Sequence, residues 1–473
     1  MIPMFLSAVR LPSKFAGHAL SFGAALCAFS FNAALSAAEP RKPNIIVLFT
    51  DDQGYADISI HGNKDYQTPH LDSLAHNGVR CTSGYVTQPQ CSPSRAGMLT
   101  GRHQSRFGHE ENPPNDPDPR WGLPLTEKTL ADYLKAAGYF TGHVGKWHQG
   151  HHRSKAPHQR GFMESVSVEG SFEDEAAVTA FAAEVKKSYP TRGKYAALWR
   201  NGQPEPLRGY VADALAQEVA GFIDRHHAEP FFLYWAHAFP HVPQIADEKY
   251  LERVAHIADE KRRVYAAMML AVDDGVGRML DTLRKHRLEE NTLIFYMSDN
   301  GGPADGRLPC SNGVFTGAKG GMSEGGIRVP YFVQWKGTLP AGKVYDRPVS
   351  TLDIVPTALA AAGAPAPAPA TLDGVNLLPF LKGEAAGDPH ECLFWRYLRR
   401  GLWAIREGDW KLRHDRGRNA EPKLYNLTDD PAEKTDLASQ HADRAKALRA
   451  TYEAWARDLP EPLWRNDTRE REE

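Results

Sequence analysis

The sequence predicts an α/β protein: a large, mostly parallel sheet sandwiched by helices, followed by a smaller C-terminal α+β subdomain. Two observations carry that prediction. From Asn44 to Met297, continuous apolar runs of strand length alternate with segments of helical periodicity, the pattern of strands covered by helices on both faces. Beyond Met297 the alternation fades and short strand-like runs follow one another, as they do in antiparallel hairpins. The expected domain limits are 39–385 for the α/β part and 386–473 for the appendage.

The composition fits. With 473 residues, 42% hydrophobic and 24% charged, the chain has an ordinary globular make-up and length for more than one domain. A mean hydropathy of -0.49 excludes a polytopic membrane protein. A formal charge of -2 lacks the basic excess of a nucleic-acid binder. Five cysteines are too few for a disulfide scaffold.

Residues 1–38 read as an export signal. Arg10 and Lys14 precede the apolar stretch Phe15 to Ala34, and Ser36-Ala37-Ala38 supply small residues for cleavage after Ala38. Gly17, His18, Gly23 and Asn32 interrupt the stretch, so no stable membrane anchor is expected. The mature chain is expected in the periplasm or outside the cell. Losing Arg10 and Lys14 takes the formal charge from -2 to -4.

The elements follow in order. Asn44 to Phe49 is a buried strand. Pro93 suits the first turn of a helix that Ala96 to Thr100 continue, starting at Cys91. Thr129 to Ala137 is a helix closed by Gly138, with a strand from Tyr139 to Val144. Val211 to His227 is helical, with Leu215, Val219, Phe222 and Ile223 on one stripe. Phe231 to Trp235 is a strand. Lys261 to Arg287 is a long helix, with Val264, Met268, Val272, Met279 and Leu283 at helical spacing. Thr292 to Met297 is another strand. Ala360 to Ala370 is an Ala/Pro loop, Phe394 to Ile405 and Trp410 to His414 are antiparallel strands, and His441 to Leu459 is a closing helix.

In open α/β sheets, ligands sit beyond the carboxyl ends of the strands. There the sequence places Asp51 and Asp52, Lys146 and His148, His237 and His241, and Asp299 with Asn300. Taken singly, each group also reads as a cap, a turn or a solvated side chain. Together the carboxylates and the amide make a hard-oxygen set suited to Ca²⁺ or Mg²⁺. Zinc lacks its usual sequence spacings here. His151 and His152 read as surface residues. In Cys91-Ser92-Pro93-Ser94-Arg95, a cysteine opens a helix whose free N–H groups favour an anion, and Arg95 adds positive charge one turn on. A structural cysteine and a cysteine-hydrolase nucleophile based on His148 or His241 are the other readings.

With Asp51-Asp52-Gln53-Gly54, Leu99-Thr100-Gly101-Arg102, Gly145-Lys146-Trp147-His148, Pro240-His241-Val242-Pro243, Ser298-Asp299-Asn300-Gly301 and Glu324 to Pro330, the chain resembles the type I, formylglycine-dependent sulfatases of the alkaline-phosphatase superfamily. Its nearest likeness is to the arylsulfatase and N-acetylgalactosamine-6-sulfatase branch. The resemblance implies an alkaline-phosphatase-like fold and hydrolysis of a sulfate ester on a sugar or oligosaccharide. It implies that Cys91 is oxidised to Cα-formylglycine (3-oxoalanine) by a formylglycine-generating or anaerobic sulfatase-maturating enzyme. It assigns Asp51, Asp52, Asp299, Asn300 and residue 91 to a metal, normally Ca²⁺ rather than Mg²⁺. Arg95 would orient the formylglycine, Lys146 and His241 bind sulfate, Lys319 grip sulfate and help the leaving group, and His148 collapse the sulfated intermediate.

That chemistry suits the residue types. A sulfate monoester repels nucleophiles unless cations surround it. A hydrated aldehyde offers one hydroxyl to attack sulfur, with Asp299 as a base, and a second to expel sulfate. The stretch Gly108 to Trp121, with Glu110, Glu111 and Asn112, reads as a specificity rim, joined by Trp147 and Arg160. Gly161-Phe162 is followed by Met163 and Glu164, where the family often has an acid directly. The competing functions are a phosphate or phosphonate monoester hydrolase of the same superfamily and a non-catalytic, calcium-dependent glycan-binding protein. Asn426-Leu427-Thr428 and Asn466-Asp467-Thr468 match glycosylation acceptors for a eukaryotic secretory host. With Cys27 in the signal and Cys91 converted, Cys81, Cys310 and Cys392 allow at most one disulfide.

Overall fold

The computed structural model describes residues 41–464 apart from 189–196, 304–305, 307, 366, 368–371 and 416–419. The export signal, Cys27 and the acceptor at Asn466 lie outside the described residues.

The strands are β1 (Asn44–Thr50), β2 (Val79–Cys81), β3 (Gly84–Tyr85), β4 (Phe140–Gly145), β5 (Glu164–Ser167), β6 (Ala197–Arg200), β7 (Gln203–Pro206) and β8 (Phe231–Ala236). They continue with β9 (Thr292–Ser298), β10 (Tyr331–Gln334), β11 (Lys343–Tyr345), β12 (Val349–Ser350), β13 (Cys392–Tyr397), β14 (Leu402–Glu407), β15 (Trp410–His414) and β16 (Lys423–Asn426). One ten-stranded sheet runs β11-β2-β10-β9-β1-β8-β4-β5-β6-β7. Its centre, β9-β1-β8-β4-β5, is parallel, while β10 and β6 run against their neighbours. Ile45, Val47 and Phe49 of β1 enter one core and Ile46 and Leu48 the other. Burial on both faces is why the run reads as continuously apolar.

Helices cover both faces. Thr129 caps the helix Leu130–Ala136 through a reciprocal bond pair with Asp132, and Gly138 turns the chain at φ +86 towards β4. The helix Glu260–Lys285 buries Met268, Val272, Met279 and Leu283 fully, four of the five stripe positions, in one core with Leu215, Val219, Phe222 and Ile223 of the helix Val211–His226. No described helix is long and apolar enough to cross a membrane.

The C-terminal sheet β13-β14-β15-β16 is antiparallel throughout. Ile405, Leu412 and Leu424 pack on Leu448 and Tyr452 of the helix Ala442–Ala456. The expected boundary at 385/386 falls between the helix Leu378–Lys382 and β13.

One expectation needs correction. The helix Ile354–Ala361 runs into the stretch expected to be a loop, because its prolines begin only after the helix ends and Pro356 sits in the first turn, where it is tolerated. The strands β10 and β16, at four residues each, were too short to give a period. Cys81, Cys91, Cys310 and Cys392 are all free thiols, so the allowance of a disulfide goes unused.

Candidate active site

The order β9-β1-β8-β4 puts the polar strand ends side by side. Asp299 and Asn300 follow β9, Asp51 and Asp52 follow β1, His237 and His241 follow β8, and Lys146 and His148 follow β4. The backbone at these ends is knitted together: Asp51 N–H donates to Phe239 O (3.0 Å) and Asp299 N–H to Thr50 O (3.1 Å). At the end of β4, Gly145 adopts φ +115 with Ala236 O only 1.9 Å from where a Cβ would stand. Only glycine fits there, and it sets Lys146 beside β8.

Cys91 begins the buried helix Cys91–Thr100, which ends at Gly101 in a left-handed cap. Its Sγ lies 3.5 Å from Asp51 Oδ1, 3.9 Å from Asp52 Oδ1 and 3.1 Å from Lys319 Nζ. One turn on, the fully buried Arg95 donates from Nε (2.9 Å) and Nη2 (2.7 Å) to Asp299 Oδ2 and from Nη1 to Tyr234 OH (3.3 Å). Lys146 Nζ lies 2.7 Å from Asp51 Oδ2 and Lys319 Nζ 2.6 Å from Asp52 Oδ1. His241 Nε2 is 3.6 Å from Asp52 Oδ2, and its Nδ1 pairs with Val242 O at 2.8 Å. Asn300 Nδ2 donates to Asp52 Oδ1 at 2.7 Å.

These contacts set the charges. Burial pushes Asp51 upward, but Lys146, His241, Arg95 and Lys319 together hold it well below the usual carboxylate range. Burial raises Asp299, despite Arg95 beside it, in the direction a general base needs. Burial, with Asp299, pushes the Cys91 thiol far up against Lys146 and Lys319. As a cysteine, residue 91 is therefore a neutral thiol, a poor nucleophile, which weighs against the cysteine-hydrolase reading. Burial and then Lys146 drive His148 well below its ordinary value, so its imidazole is neutral.

All ten expected site residues stand at this end of the sheet. Four of them, Asp51, Asp52, Cys91 and His241, bring ligand atoms within 4.8 Å of one another. Asn300 Oδ1 is buried without a hydrogen-bond partner. His237, which the strand rule also pointed to, stands apart: fully buried, it accepts from Phe239 N at Nδ1 (3.0 Å) and packs on Trp235 and Phe239. Two expected rim residues are structural. Trp147 is buried in the core and donates to Lys155 O, and Arg160 is spent on the carbonyls of Leu123, Pro124 and Glu127.

Glu169, Gln149, Tyr234 and Arg400 escaped the sequence reading. His148 sits at φ +57, its N–H held by Glu169 Oε2 at 2.6 Å and its carbonyl by Ser92 Oγ at 2.6 Å and Gln149 Nε2 at 3.0 Å. Tyr234 supports Arg95 from inside β8. A cavity of about 560 Å³ opens over the site, lined among others by Asp52, His241, Lys319, Gln90, Asn112 and Arg400. Arg400 comes from the C-terminal sheet, where no motif marks it.

Known sulfatases resemble this chain in sequence and in fold. The Sulfatase family profile matches residues 43–364, and the profile named N-sulphoglucosamine sulphohydrolase, C-terminal matches residues 314–454. The uncharacterized sulfatase YdeN of Escherichia coli (strain K12) is 35% identical over 398 residues, covering 75% of this chain and 68% of its own. N-acetylgalactosamine-6-sulfatase of Mus musculus is 33% identical, covering 80% of this chain and 73% of its own. Among solved structures, Ps i-CgsB in complex with k-i-k-neocarrahexaose superposes with a TM-score of 0.82 at 34% identity, covering 91% of this chain and 96% of that one.

Proposed function

The chain belongs to the sulfatase family, on an alkaline-phosphatase-like fold, and is a sulfuric ester hydrolase; from that premise we propose that it removes sulfate from a sulfated carbohydrate, using a formylglycine made from Cys91 and a bound calcium ion. The observation that carries the reading is Cys91 itself. It is a buried thiol held neutral at a helix N-terminus, between two lysines and an arginine, inside the Cys-x-Pro-x-Arg motif. A thiol so placed has little use as a nucleophile, whereas an aldehyde there has one. Export with cleavage after Ala38 and maturation by a formylglycine-generating or anaerobic sulfatase-maturating enzyme belong to the same reading. A polymer substrate suits a cavity far larger than a sulfate group, and the solved relative bound to a neocarrahexaose supports a saccharide.

The donor set fits a hard cation. Asp51, Asp52, Asp299 and Asn300 offer oxygens, and the buried Asn300 Oδ1 has no partner, an unsatisfied state that a cation would relieve. When bound, calcium would neutralise negative charge on the ester oxygens and on the attacking group. The hydrated aldehyde would supply one hydroxyl to attack sulfur and a second to release sulfate.

The chain's own residues do the rest. Arg95, fixed by Asp299 and Tyr234, keeps the start of the helix and residue 91 in one orientation. Lys146 and Lys319 face the sulfate oxygens from two sides. Asp299, raised by burial, can accept the proton of the attacking hydroxyl, and Lys319 or His241 can give one to the departing alcohol oxygen. Neutral His148 can take the proton of the second hydroxyl. Water adds across the ester, giving an alcohol and hydrogen sulfate.

The test is peptide mass spectrometry of residue 91 in active protein, paired with sulfate and phosphate monoester assays. An aldehyde trapped by a hydrazide probe, with sulfate esters preferred, is the expected result. An unmodified thiol in fully active protein would overturn the mechanism, and faster phosphate ester turnover would favour the phosphate or phosphonate hydrolase.

A further inference from the structure

Three arginines meet where β13 turns into β14, and they are not equivalent. Arg396 Nε lies 2.5 Å from Glu110 Oε1, and Arg399 Nη1 lies 2.7 Å from Glu111 Oε2. Arg400 has no carboxylate within ion-pair distance among the described residues. It stacks on Tyr397 at 5.0 Å, donates from Nη1 to Gly320 O at 3.3 Å, and lines the cavity beside Lys319.

The turn that carries Arg400 is rigidly placed. Glu110 Oε2 also accepts from Leu398 N at 3.0 Å, so one buried carboxylate holds Arg396 and the start of the turn together. The next residues of the same loop reach the reacting end, since Asn112 Oδ1 accepts from Ser92 N at 2.9 Å, next to Cys91. The acids Glu110 and Glu111, expected from sequence to face the substrate, instead fix Arg400 relative to residue 91.

We propose that Arg400 binds a second anionic group of the saccharide, so that the enzyme selects substrates carrying a sulfate or carboxylate beside the sulfate it removes. The proposal rests on the sulfatase reading. A guanidinium stacked on an aromatic face keeps its edge for a planar or tetrahedral anion. With no carboxylate at ion-pair distance among the described residues, its charge is left for an anion that enters the cavity. A neutral sugar would gain no such pairing.

Calorimetric titrations in a Cys91→Ser background, where turnover is blocked, test this with four probes. They are N-acetylgalactosamine 6-sulfate, its 4,6-disulfate, and the chondroitin 6-sulfate disaccharide with its uronate free or methyl-esterified. The disulfate and the free uronate separate the two sources of the second anion. At least one dianion should bind more tightly than its monoanionic partner, and Arg400→Gln should weaken that dianion about 10- to 100-fold while leaving the monoanions within about twofold. Arg400→Lys should recover part of the preference. Equal or absent binding of mono- and dianions by the parent, or an equal loss for both in Arg400→Gln, would overturn the proposal. Failure of the matured, unmutated enzyme to cleave any sulfate ester would instead sink the sulfatase reading, whatever the titrations give.

Discussion

Replacing Lys411 by Met should be among the most damaging single changes outside the catalytic cluster. Lys411, on β15, is fully buried, 2.7 Å from Glu324 Oε1 and 3.1 Å from Glu433 Oε1. Glu324 also accepts from Tyr85 OH at 2.6 Å and pairs with Arg328 at 3.2 Å. Removing the lysine leaves two carboxylates buried near one another with less positive charge between them. Breaking a buried pair in this way costs about 3–5 kcal/mol. Against burial, Lys411 together with Arg328 and Arg406 holds Glu324 down at about 2 from 4.5, so removing Lys411 takes away the first of three cations that keep it charged.

The pH dependence has a fixed sign. The folded value of Glu324 lies below its unfolded one, so its contribution is complete above pH 4.5 and is lost as pH falls from 4.5 towards 2. The gap between parent and Lys411→Met should therefore be widest near neutrality and narrow in acid. Guanidinium denaturation of the mature chain at pH 7 and pH 4 measures both quantities. Lys411→Met/Glu324→Gln should recover at least about 1 kcal/mol, because the stranded charge is gone. A single-mutant cost under about 1 kcal/mol at pH 7, or a gap that widens in acid, would refute the reasoning.

Asp273, on the long helix, accepts from Leu71 N at 2.8 Å and His70 N at 3.3 Å, capping the helix Pro69–His76 from outside. Burial lifts its pKa to about 7 even though those two N–H groups pull it down. A raised folded value gives stability that is complete below pH 4 and is lost as pH rises through 7, so Asp273→Asn should gain on the parent between pH 5 and pH 8 in urea titrations. A pH-independent difference would contradict this. Glu169→Ala should lower kcat for a sulfate ester about 10- to 100-fold with KM little changed, since only the backbone of His148 is released. Glu169→Gln, which keeps the acceptor, should restore most of it.

The central sheet was legible because burial on both faces leaves continuous apolar runs, and a run's end marks where ligands go. That reasoning found Asp51, Lys146, His241 and Asp299 by position. It also pointed to His237, whose side chain packs in the core, because a residue's place after a strand does not say whether its side chain turns to the cavity or the core. Trp147 and Arg160 misled for a related reason, since large amphipathic side chains serve cores and rims equally well. What stayed hidden was held by contacts distant in sequence: Glu169 on His148, and Glu110 on Leu398, 288 residues away, at the start of the turn that carries Arg400. No local period encodes such pairs.

The charge count at the site explains why its carboxylates and its cations come together. Asp51, Asp52 and Asp299 carry three negative charges, and Arg95, Lys146 and Lys319 carry three positive ones, each lying on one of those acids. The cluster is thus nearly neutral in itself. The chain as a whole carries a formal charge of -2, so no long-range field draws a sulfate ester in. Nor can His148 add charge, being held neutral. On the proposed reading, a cation held by the aspartates would supply net attraction for the anion and would release Lys146 and Lys319 to the sulfate oxygens. In this arrangement the acids would act on the substrate through what they hold, while Arg400 lines the cavity with no carboxylate at ion-pair distance among the described residues.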